Sequence, residues 1–342
     1  MLVSAYETLS TCICPWLQGA LRKLQAAHGD SRLGHGWLIV GPQGVGKINL
    51  ALVAARWLLE GGNDAIALLG ARQAATAMAE RHEPADRHPD LHWLFPESGR
   101  RTVAVEQIRE AARALSLTSL TAQVKVLVVE PADAMTIAAA NALLKTLEEP
   151  SADTYLLLIS HQPGRLPATI RSRCQSLLLR CPPVEETAVW LREWGGDRKD
   201  VDWEALLAAV GGLPLRATSL MGSNLSNNYN NLEKTLHDIS TGQTDPQTVV
   251  DEWLANDIEA ALGWLAARLQ SCIRVRLAPG SSVNGNWSSS KLEAAWKPLD
   301  TRFLFEQLQN AELLLGQLGG GINIELALRV LLLGFRRKEG GR

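Results

Sequence analysis

The residues from Gly41 to Lys47 have the types and spacing of a phosphate-binding loop. The stretch reads GPQGVGK, which matches the pattern G-x-x-x-x-G-K. In such a loop, glycines let successive backbone N–H groups close around phosphates, and the lysine reaches the β- and γ-phosphates. We therefore take Gly41, Gly44, Gly46 and Lys47 as candidate nucleotide-binding residues.

The position after the lysine departs from this pattern. It normally carries Ser or Thr, whose hydroxyl ligates Mg²⁺, but here it is Ile48. Because Ile48 has no oxygen, a magnesium ligand is missing. We expect this side chain to pack along the helix that follows, and the loop to keep the shape of a nucleotide site.

An acidic strand end shows a second departure. The apolar run VKVLVV (124–129) is followed by EPAD. Hydrolysing proteins need a carboxylate here to position Mg²⁺, and Glu130 supplies one that is a methylene longer than the usual Asp. Pro131 stands where a Glu would activate water, and it cannot exchange a proton. Asp133 could reach a metal through water, or both acids could simply belong to a solvated loop. Two altered positions together argue against hydrolysis.

The elements that must position these residues alternate between strands and helices. Short apolar runs predict buried strands, and the segment 88–96 is expected to be extended. Helical periodicity follows Lys47 and recurs at 103–117, after a strand edge, and at 138–149. This alternation predicts a three-layer α/β domain with a parallel sheet over residues 1–180. The predicted strands are 35–40, 124–129, 154–160 and 175–180.

The second half of the chain is predicted to be helical. Pro182-Pro183 marks a boundary near the start of a small helical domain, which is predicted to cover residues 181–222. A polar stretch at 222–231 is interpreted as a linker. Residues 223–342 form an all-α C-terminal domain, with a polar loop at 281–290 and Asn323 as the N-cap of the last helix.

Composition sets limits on the class of protein. The 342 residues carry 34 basic and 36 acidic side chains, a net charge of −2, so no global basic excess points to nucleic acid. Five cysteines do not form a disulfide framework, which favours a reduced cytoplasmic protein. We expect no signal peptide and no membrane span. The small basic groups Arg100-Arg101 and 336–338 are interpreted as solvated surface, and the eleven tryptophans as core and interface anchors.

The segment 141–179, NALLKTLEEPSADTYLLLISHQPGRLPATIRSRCQSLLL, closely resembles the core of the bacterial DNA polymerase III clamp-loader subunits of the AAA+ class. Further stretches look like the delta-prime family within that group, whose members resemble the ATPase subunits in fold but typically lack ATP turnover. These stretches are 15–29, 88–96, 108–110 and 321–333. The resemblance is good over the first two predicted domains and weak over 222–320.

The resemblance implies a AAA+ domain, a helical lid and a C-terminal collar. It also implies a role for Arg173 in SRC (172–174), which resembles an arginine finger aimed at the ATP of a neighbouring subunit. A fixed guanidinium stabilises the charge that develops on the γ-phosphoryl oxygens. From spacing alone, Arg171 and Arg173 would instead pair with surface carboxylates. Cys174 is expected to be apolar packing.

The chain departs from the family pattern in several places. Many relatives carry a four-cysteine zinc module, but residues 58–90 contain no cysteine, so no zinc is expected. His88 and His92 could share a metal only on a helix, which Pro89 disfavours. Ser160 stands at the polar strand-end position called sensor 1.

One further position is left open by the sequence. An active relative presents an Arg to the nucleotide within GGLPLRAT (211–218). By our alignment Leu215 takes that place and Arg216 lies one residue on, so a slip of one residue would restore the arginine.

The function indicated by the resemblance is a non-hydrolysing delta-prime subunit, a component of the DNA-directed DNA polymerase holoenzyme without a cofactor of its own. Its expected partners are the gamma/tau ATPase and delta subunits, with the sliding clamp and primed DNA reached through the complex and no membrane involved. The alternative is an active AAA+ clamp-loader ATPase that uses Lys47 and Glu130. A small-molecule kinase does not fit the SRC segment or the helical C-terminal half.

Overall fold

The computed structural model divides into two compact units. One comprises Met1–Pro182 with Leu213–Ser219, and the other Pro183–Gly212 with Leu220–Arg342. The structure describes residues 4–29, 34–61, 66–80, 88–97, 99–117, 119–121, 124–195, 203, 206, 207, 210–221, 226–255, 258–277, 291–318 and 323–336. The separation of 181–222 from 223–342 stays a prediction.

A five-stranded parallel sheet forms the centre of the first unit, in the order β4-β5-β6-β2-β7. Its strands are β2 (Gly36–Val40), β4 (Leu91–Leu94), β5 (Lys125–Val129), β6 (Thr154–Ser160) and β7 (Gln175–Leu178). The four predicted strands are confirmed. The segment predicted only as extended, 88–96, supplies the edge strand β4. A small parallel pair, β1 (Cys12–Ile13) and β3 (Ala67–Leu68), lies outside the main sheet and was not predicted.

Helices cover both faces of this sheet. The helices of the unit are α1 (Ala5–Thr11), α2 (Gln18–Gly29), α3 (Lys47–Glu60), α4 (Ala71–Glu80), α5 (Val105–Ser116), α6 (Ile137–Glu148), α7 (Ala168–Arg171) and the start of α9 (Pro214–Met221). Alternate strand residues such as Leu127 and Leu156 pack with α5 and α6 in one buried cluster. The residues between them, such as Leu157, meet α2 and α3 on the other face. The apolar runs are continuous because both faces are buried.

Two buried charged side chains fix the turn between α5 and β5. Asp90, in the HPD segment, accepts hydrogen bonds from the backbone N–H groups of Leu120 and Thr121 at 2.7 and 2.9 Å. Lys125 Nζ donates to the carbonyl oxygens of Leu115 and Leu117. Buried charges require such partners, so these residues have a structural role here.

The second unit consists of helices around a tryptophan-rich core. Its helices are α8 (Val184–Gly195), α10 (Ser226–Ser240), α11 (Pro246–Ala255), α12 (Ile258–Leu277), α13 (Lys291–Trp296), α14 (Thr301–Gln317) and α15 (Ile324–Leu333). Trp253, Trp264 and Trp296 are buried, and Trp296 stacks on Phe335 with ring centroids 5.0 Å apart. These three tryptophans are therefore core residues.

The structure tests two predictions about this unit, the N-cap of its last helix and the linker at 222–231. Asn323 caps α15 as expected, because its side chain accepts from the N–H of Leu326 at 3.0 Å. The linker prediction is wrong from Ser226 onward, where α10 begins. Buried Leu236 and Ile239 on this helix outweigh the poor helix propensity of its first residues. The predicted loop 281–290 lies outside the described residues.

Among the residues that the structure describes, no helix has both the length and the apolar character needed to cross a membrane.

Candidate functional site

The phosphate-binding loop follows β2 and leads into α3, in the order that the sequence predicted. Gly44 and Gly46 have φ values of 94° and 100°, a region that favours glycine. At Gly41 a Cβ atom would lie 2.7 Å from the carbonyl oxygen of Leu179. The three glycines are therefore required by turn geometry and by close packing.

Lys47 turns back onto the loop that precedes it. Its side chain is 3% exposed, and Nζ donates to the carbonyl oxygens of Gly41 at 2.5 Å and Pro42 at 2.7 Å. Burial lowers the pKa of this ammonium to about 8, and the nearby carboxylates of Asp133 and Glu130 oppose that shift. In this structure the positive charge of Lys47 is satisfied by acceptors of its own chain.

The start of α9 packs directly against the loop. The N–H of Leu215 donates to the carbonyl oxygen of Gly44 at 3.1 Å. A Cβ atom at Gly44 would lie 3.1 Å from Cβ of Arg216. Leu215 is buried and Arg216 is half-buried. Leu215 and Arg216, the two candidates for the arginine position, thus both lie at the loop. Leu215 contacts the loop through its backbone N–H.

The N-terminal segment packs on the other side of the loop. Asn49 is fully buried and fixes this segment: its amide donates to the carbonyl oxygens of Leu9 and Cys12, and its oxygen accepts from the N–H of Cys14. Trp16 Nε1 donates to the carbonyl oxygen of Val45 at 2.8 Å.

The last turn of the loop lies against apolar side chains from both of these segments. A Cβ atom at Gly46 would lie 2.8 Å from Leu17 Cδ1 and 3.5 Å from Leu215 Cδ1. The loop is therefore held by protein groups on two sides.

The acids after β5 are not in a solvated loop. Glu130 is 6% exposed, and Asp133 is half-buried, with its Oδ1 accepting the N–H of His161 at 2.8 Å. Both carboxylates act electrostatically on Lys47. Pro131 stands between them and brings no proton-transfer group. Ser160, at the end of β6, is fully buried, and its hydroxyl has no hydrogen-bond partner among the described residues.

Ile48 is buried, at 5% exposure, as the sequence predicted. Its side chain offers no oxygen at the position where magnesium takes a hydroxyl ligand. Together with the lysine that is bonded to loop carbonyls, these residues do not fit a Mg²⁺–ATP site of the hydrolysing type.

Arg173 lies at the opposite end of the strands from the loop, at the amino end of β7. It precedes β7, and its carbonyl oxygen lies 3.3 Å from the Cβ position of Gly36, the first residue of β2. Gly41 follows the last residue of that strand, and five residues of parallel strand span about 16 Å. The structure brings Gly41, Gly44, Gly46 and Lys47 together but keeps Arg173 away from them.

The side chain of Arg173 is partly exposed, at 37%, and has two partners. Its Nη2 forms an ion pair with Glu148 Oε1 at 2.6 Å, and its Nη1 donates to the carbonyl oxygen of Thr169 at 3.0 Å. Cys174, the next residue, is half-buried and packs against the core of the sheet. Burial raises the pKa of its thiol to about 11, which is consistent with the expected packing role.

The histidines of the HPD segment are not on a helix. His92 lies on β4, and His88 precedes it with its Nδ1 accepting the N–H of Asp90 at 3.1 Å. Across the described ranges, no group of three or more His, Cys, Asp or Glu side chains is placed to hold a metal ion.

Sequence reasoning missed two residues that organise these sites. Asn49 fixes the N-terminal segment, and the only signal was a lone amide in the apolar run of α3. Arg173 pairs with a surface carboxylate, as spacing alone predicted, but no local pattern pointed to Glu148 as the partner, because it lies 25 residues earlier in the sequence.

Known proteins are similar in sequence to this chain over most of its length. A family model described as DNA polymerase III, delta subunit, matches residues 16–183. The DNA polymerase III subunit delta′ of Pseudomonas aeruginosa is 34% identical over 265 residues, which cover 78% of this chain and 78% of that protein. The DNA polymerase III subunit delta′ of Escherichia coli K12 is 30% identical over 334 residues, 93% of this chain and 94% of that protein. The chain therefore belongs to the delta-prime subunit family of the DNA polymerase III clamp loader, in the AAA+ class.

Proposed function

We propose that this clamp-loader subunit does not hydrolyse ATP and instead supplies Arg173 to the nucleotide site of a neighbouring ATPase subunit. The observation that carries the proposal is the contrast between the two ends of the central sheet. At the loop end, Lys47 is bonded to loop carbonyls and Ile48 stands in place of a hydroxyl residue, whereas Arg173 at the other end is partly exposed.

Three features support the absence of hydrolysis. Ile48 removes a magnesium ligand, and Pro131 removes the group that would activate water. Lys47 is already paired with the carbonyl oxygens of Gly41 and Pro42 in the loop. All three features act against Mg²⁺-dependent chemistry in the same site.

The position of Arg173 supports a role in trans. The five residues of β2 span about 16 Å between the end of the sheet that carries Arg173 and the loop. Arg173 therefore does not reach the loop of its own chain. A guanidinium at a subunit edge is the group that phosphoryl-transfer proteins use to stabilise transition-state charge from outside. We infer that the gamma/tau ATPase is the neighbour whose ATP receives it.

The last helices support a collar, the shared oligomerisation region that we propose for 223–342. α15 buries Leu328, Leu331 and Leu332 on one side. On another side Leu326, Val330 and Leu333 are exposed at helical spacing of four and three, at 58%, 63% and 42%. An apolar stripe of this kind marks a protein interface, and we assign it to the other loader subunits, gamma/tau and delta.

The wider setting follows from the same assignment. We propose that the chain acts in the cytoplasm, binds no zinc or nucleotide of its own, and meets the sliding clamp and primed DNA only within the complex. The small helical region at 181–222 would be the lid. Arg100, one of the basic residues considered for DNA, is exposed and pairs with Glu97 at 3.1 Å, as expected of a solvated surface residue.

The test is nucleotide binding by the purified chain. We expect no ATPase activity and no Mg²⁺-dependent ATP affinity in the micromolar range, measured by calorimetry, and Lys47→Ala should change neither. Micromolar Mg–ATP binding that disappears in Lys47→Ala would overturn the proposal and favour the alternative, an active clamp-loader ATPase that uses Lys47 and Glu130.

A further inference from the structure

Two polar contacts with the protein hold the side chain of Arg173 in place. Both of its terminal nitrogens have partners: Nη2 pairs with Glu148 and Nη1 donates to the carbonyl of Thr169. The two partners come from different helices, α6 and α7. A long side chain held at two points keeps one orientation and loses less entropy when it binds.

Glu148 is the last residue of α6, a helix of 12 residues. The C-terminal end of a helix favours a positive charge. The guanidinium therefore meets a carboxylate and a favourable helix end at the same point. The carboxylate is 48% exposed, so solvent screens the ion pair and limits its strength.

The contacts leave part of the guanidinium available. A guanidinium has five N–H donors in one plane, and the two contacts with Glu148 and Thr169 use two of them. The remaining donors can address oxygens of a second group. An arginine anchored on one side in this way is able to present its other donors in a defined direction.

We propose that Glu148 is a positioning residue for Arg173: it holds the guanidinium in the orientation in which Arg173 stabilises the transition state of ATP hydrolysis in the neighbouring subunit. This inference rests on the proposed function, because it requires Arg173 to act in trans. Glu148 itself touches neither the nucleotide nor the reacting atoms.

The experiment is the DNA- and clamp-stimulated ATPase of the reconstituted loader, with Glu148→Ala, Glu148→Gln and Arg173→Ala in this chain. An exposed ion pair is weak, so we expect Glu148→Ala to lower kcat by about two- to fivefold with little change in KM. Glu148→Gln keeps an acceptor oxygen and should recover part of the loss. Glu149→Ala is the matched control, because the neighbouring carboxylate does not pair with Arg173, and it should leave kcat unchanged.

The double variant Glu148→Ala/Arg173→Ala makes the test specific. If Glu148 acts through Arg173, the double variant should have the kcat of Arg173→Ala alone, because interacting residues are not additive. A further loss in the double variant, an unchanged kcat in Glu148→Ala, or a higher kcat would each overturn the positioning role while leaving the proposed function intact. An unchanged kcat in Arg173→Ala would instead overturn the proposed function.

Discussion

A positively charged side chain lies near each end of the parallel sheet, and the two side chains differ in exposure and in their partners. At the carboxyl end of β2, Lys47 is 3% exposed and donates to two loop carbonyls. At the amino end of β7, Arg173 is 37% exposed and is anchored by one carboxylate and one carbonyl. The ammonium of Lys47 is bonded to carbonyls of its own loop, whereas the guanidinium of Arg173 lies at the surface. The proposed function accounts for this difference, because it assigns Arg173 to the nucleotide site of a neighbouring subunit.

Removing the outward charge should have the largest effect. Arg173→Ala is expected to slow single-turnover ATP hydrolysis at the adjoining ATPase site by about 10³-fold, because a trans arginine supplies that much transition-state stabilisation. The measurement is single-turnover hydrolysis by the reconstituted loader.

Arg171→Ala is the matched control for this experiment. Arg171 is an exposed arginine two residues earlier, at the end of α7, and its loss should leave the rate unchanged. Equal effects of the two variants would show that general surface charge matters and would remove the contrast between the two sheet ends.

A strained loop should lower the stability of the chain, even though we propose that the loop performs no hydrolysis. Gly46→Ala places a Cβ atom at φ 100° and 2.8 Å from Leu17 Cδ1. We expect the free energy of unfolding to fall by about 4 kcal/mol, the sum of backbone strain and overpacking. Chemical denaturation measures the loss.

Gly61→Ala controls for backbone strain alone. Gly61 has a φ of 64° and open space around its Cβ position, so its substitution should cost only about 1 kcal/mol. A loss at Gly46 as small as that at Gly61 would mean that the loop is loosely packed, contrary to its description as a scaffold.

The buried ammonium of Lys47 should make the free energy of unfolding depend on pH. Its pKa is lowered to about 8 in the folded chain from 10.5 in the unfolded chain. Between these values the unfolded chain holds a proton that the folded chain has released, so stability rises with pH across this window and the gain is absent below pH 8. The integrated gain is roughly 3 kcal/mol.

Lys47→Met isolates this contribution, because methionine has similar length and does not ionise. The difference in unfolding free energy between the natural chain and Lys47→Met should shift in favour of the natural chain from pH 8 to pH 10.5. Other groups that titrate in this range cancel in the difference. A constant difference would mean that Lys47 is hydrated and free to meet a nucleotide.

The sequence predicted the parts of the molecule that depend on local pattern. The strands at 124–129 and 154–160 have bounds within one residue of β5 and β6 because continuous β-branched and leucine runs are typical of doubly buried strands. The glycine loop and the burial of Ile48 were also predicted correctly.

The contacts that were missed join distant parts of the chain. Asn49 bonds to residues 35 to 40 positions earlier, and Leu215 bonds to Gly44 across 171 positions. Such partners depend on tertiary placement, which periodicity does not encode. For the same reason the edge position of β4 and the pairing of Arg173 with Glu148 emerged only from the structure.

The register of β2 against β7 has a consequence for assembly. Trp37 pairs with Gln175 and Val40 with Leu178, so the arginine and the loop lie at opposite ends of these two strands. Subunits that meet finger to loop make head-to-tail contacts, and a row of them has a direction. If Arg173 acts in trans as proposed and the loop of this chain hydrolyses no ATP, the chain can stand only at one end of that row. The proposed function therefore implies that the series of ATP sites stops at this subunit.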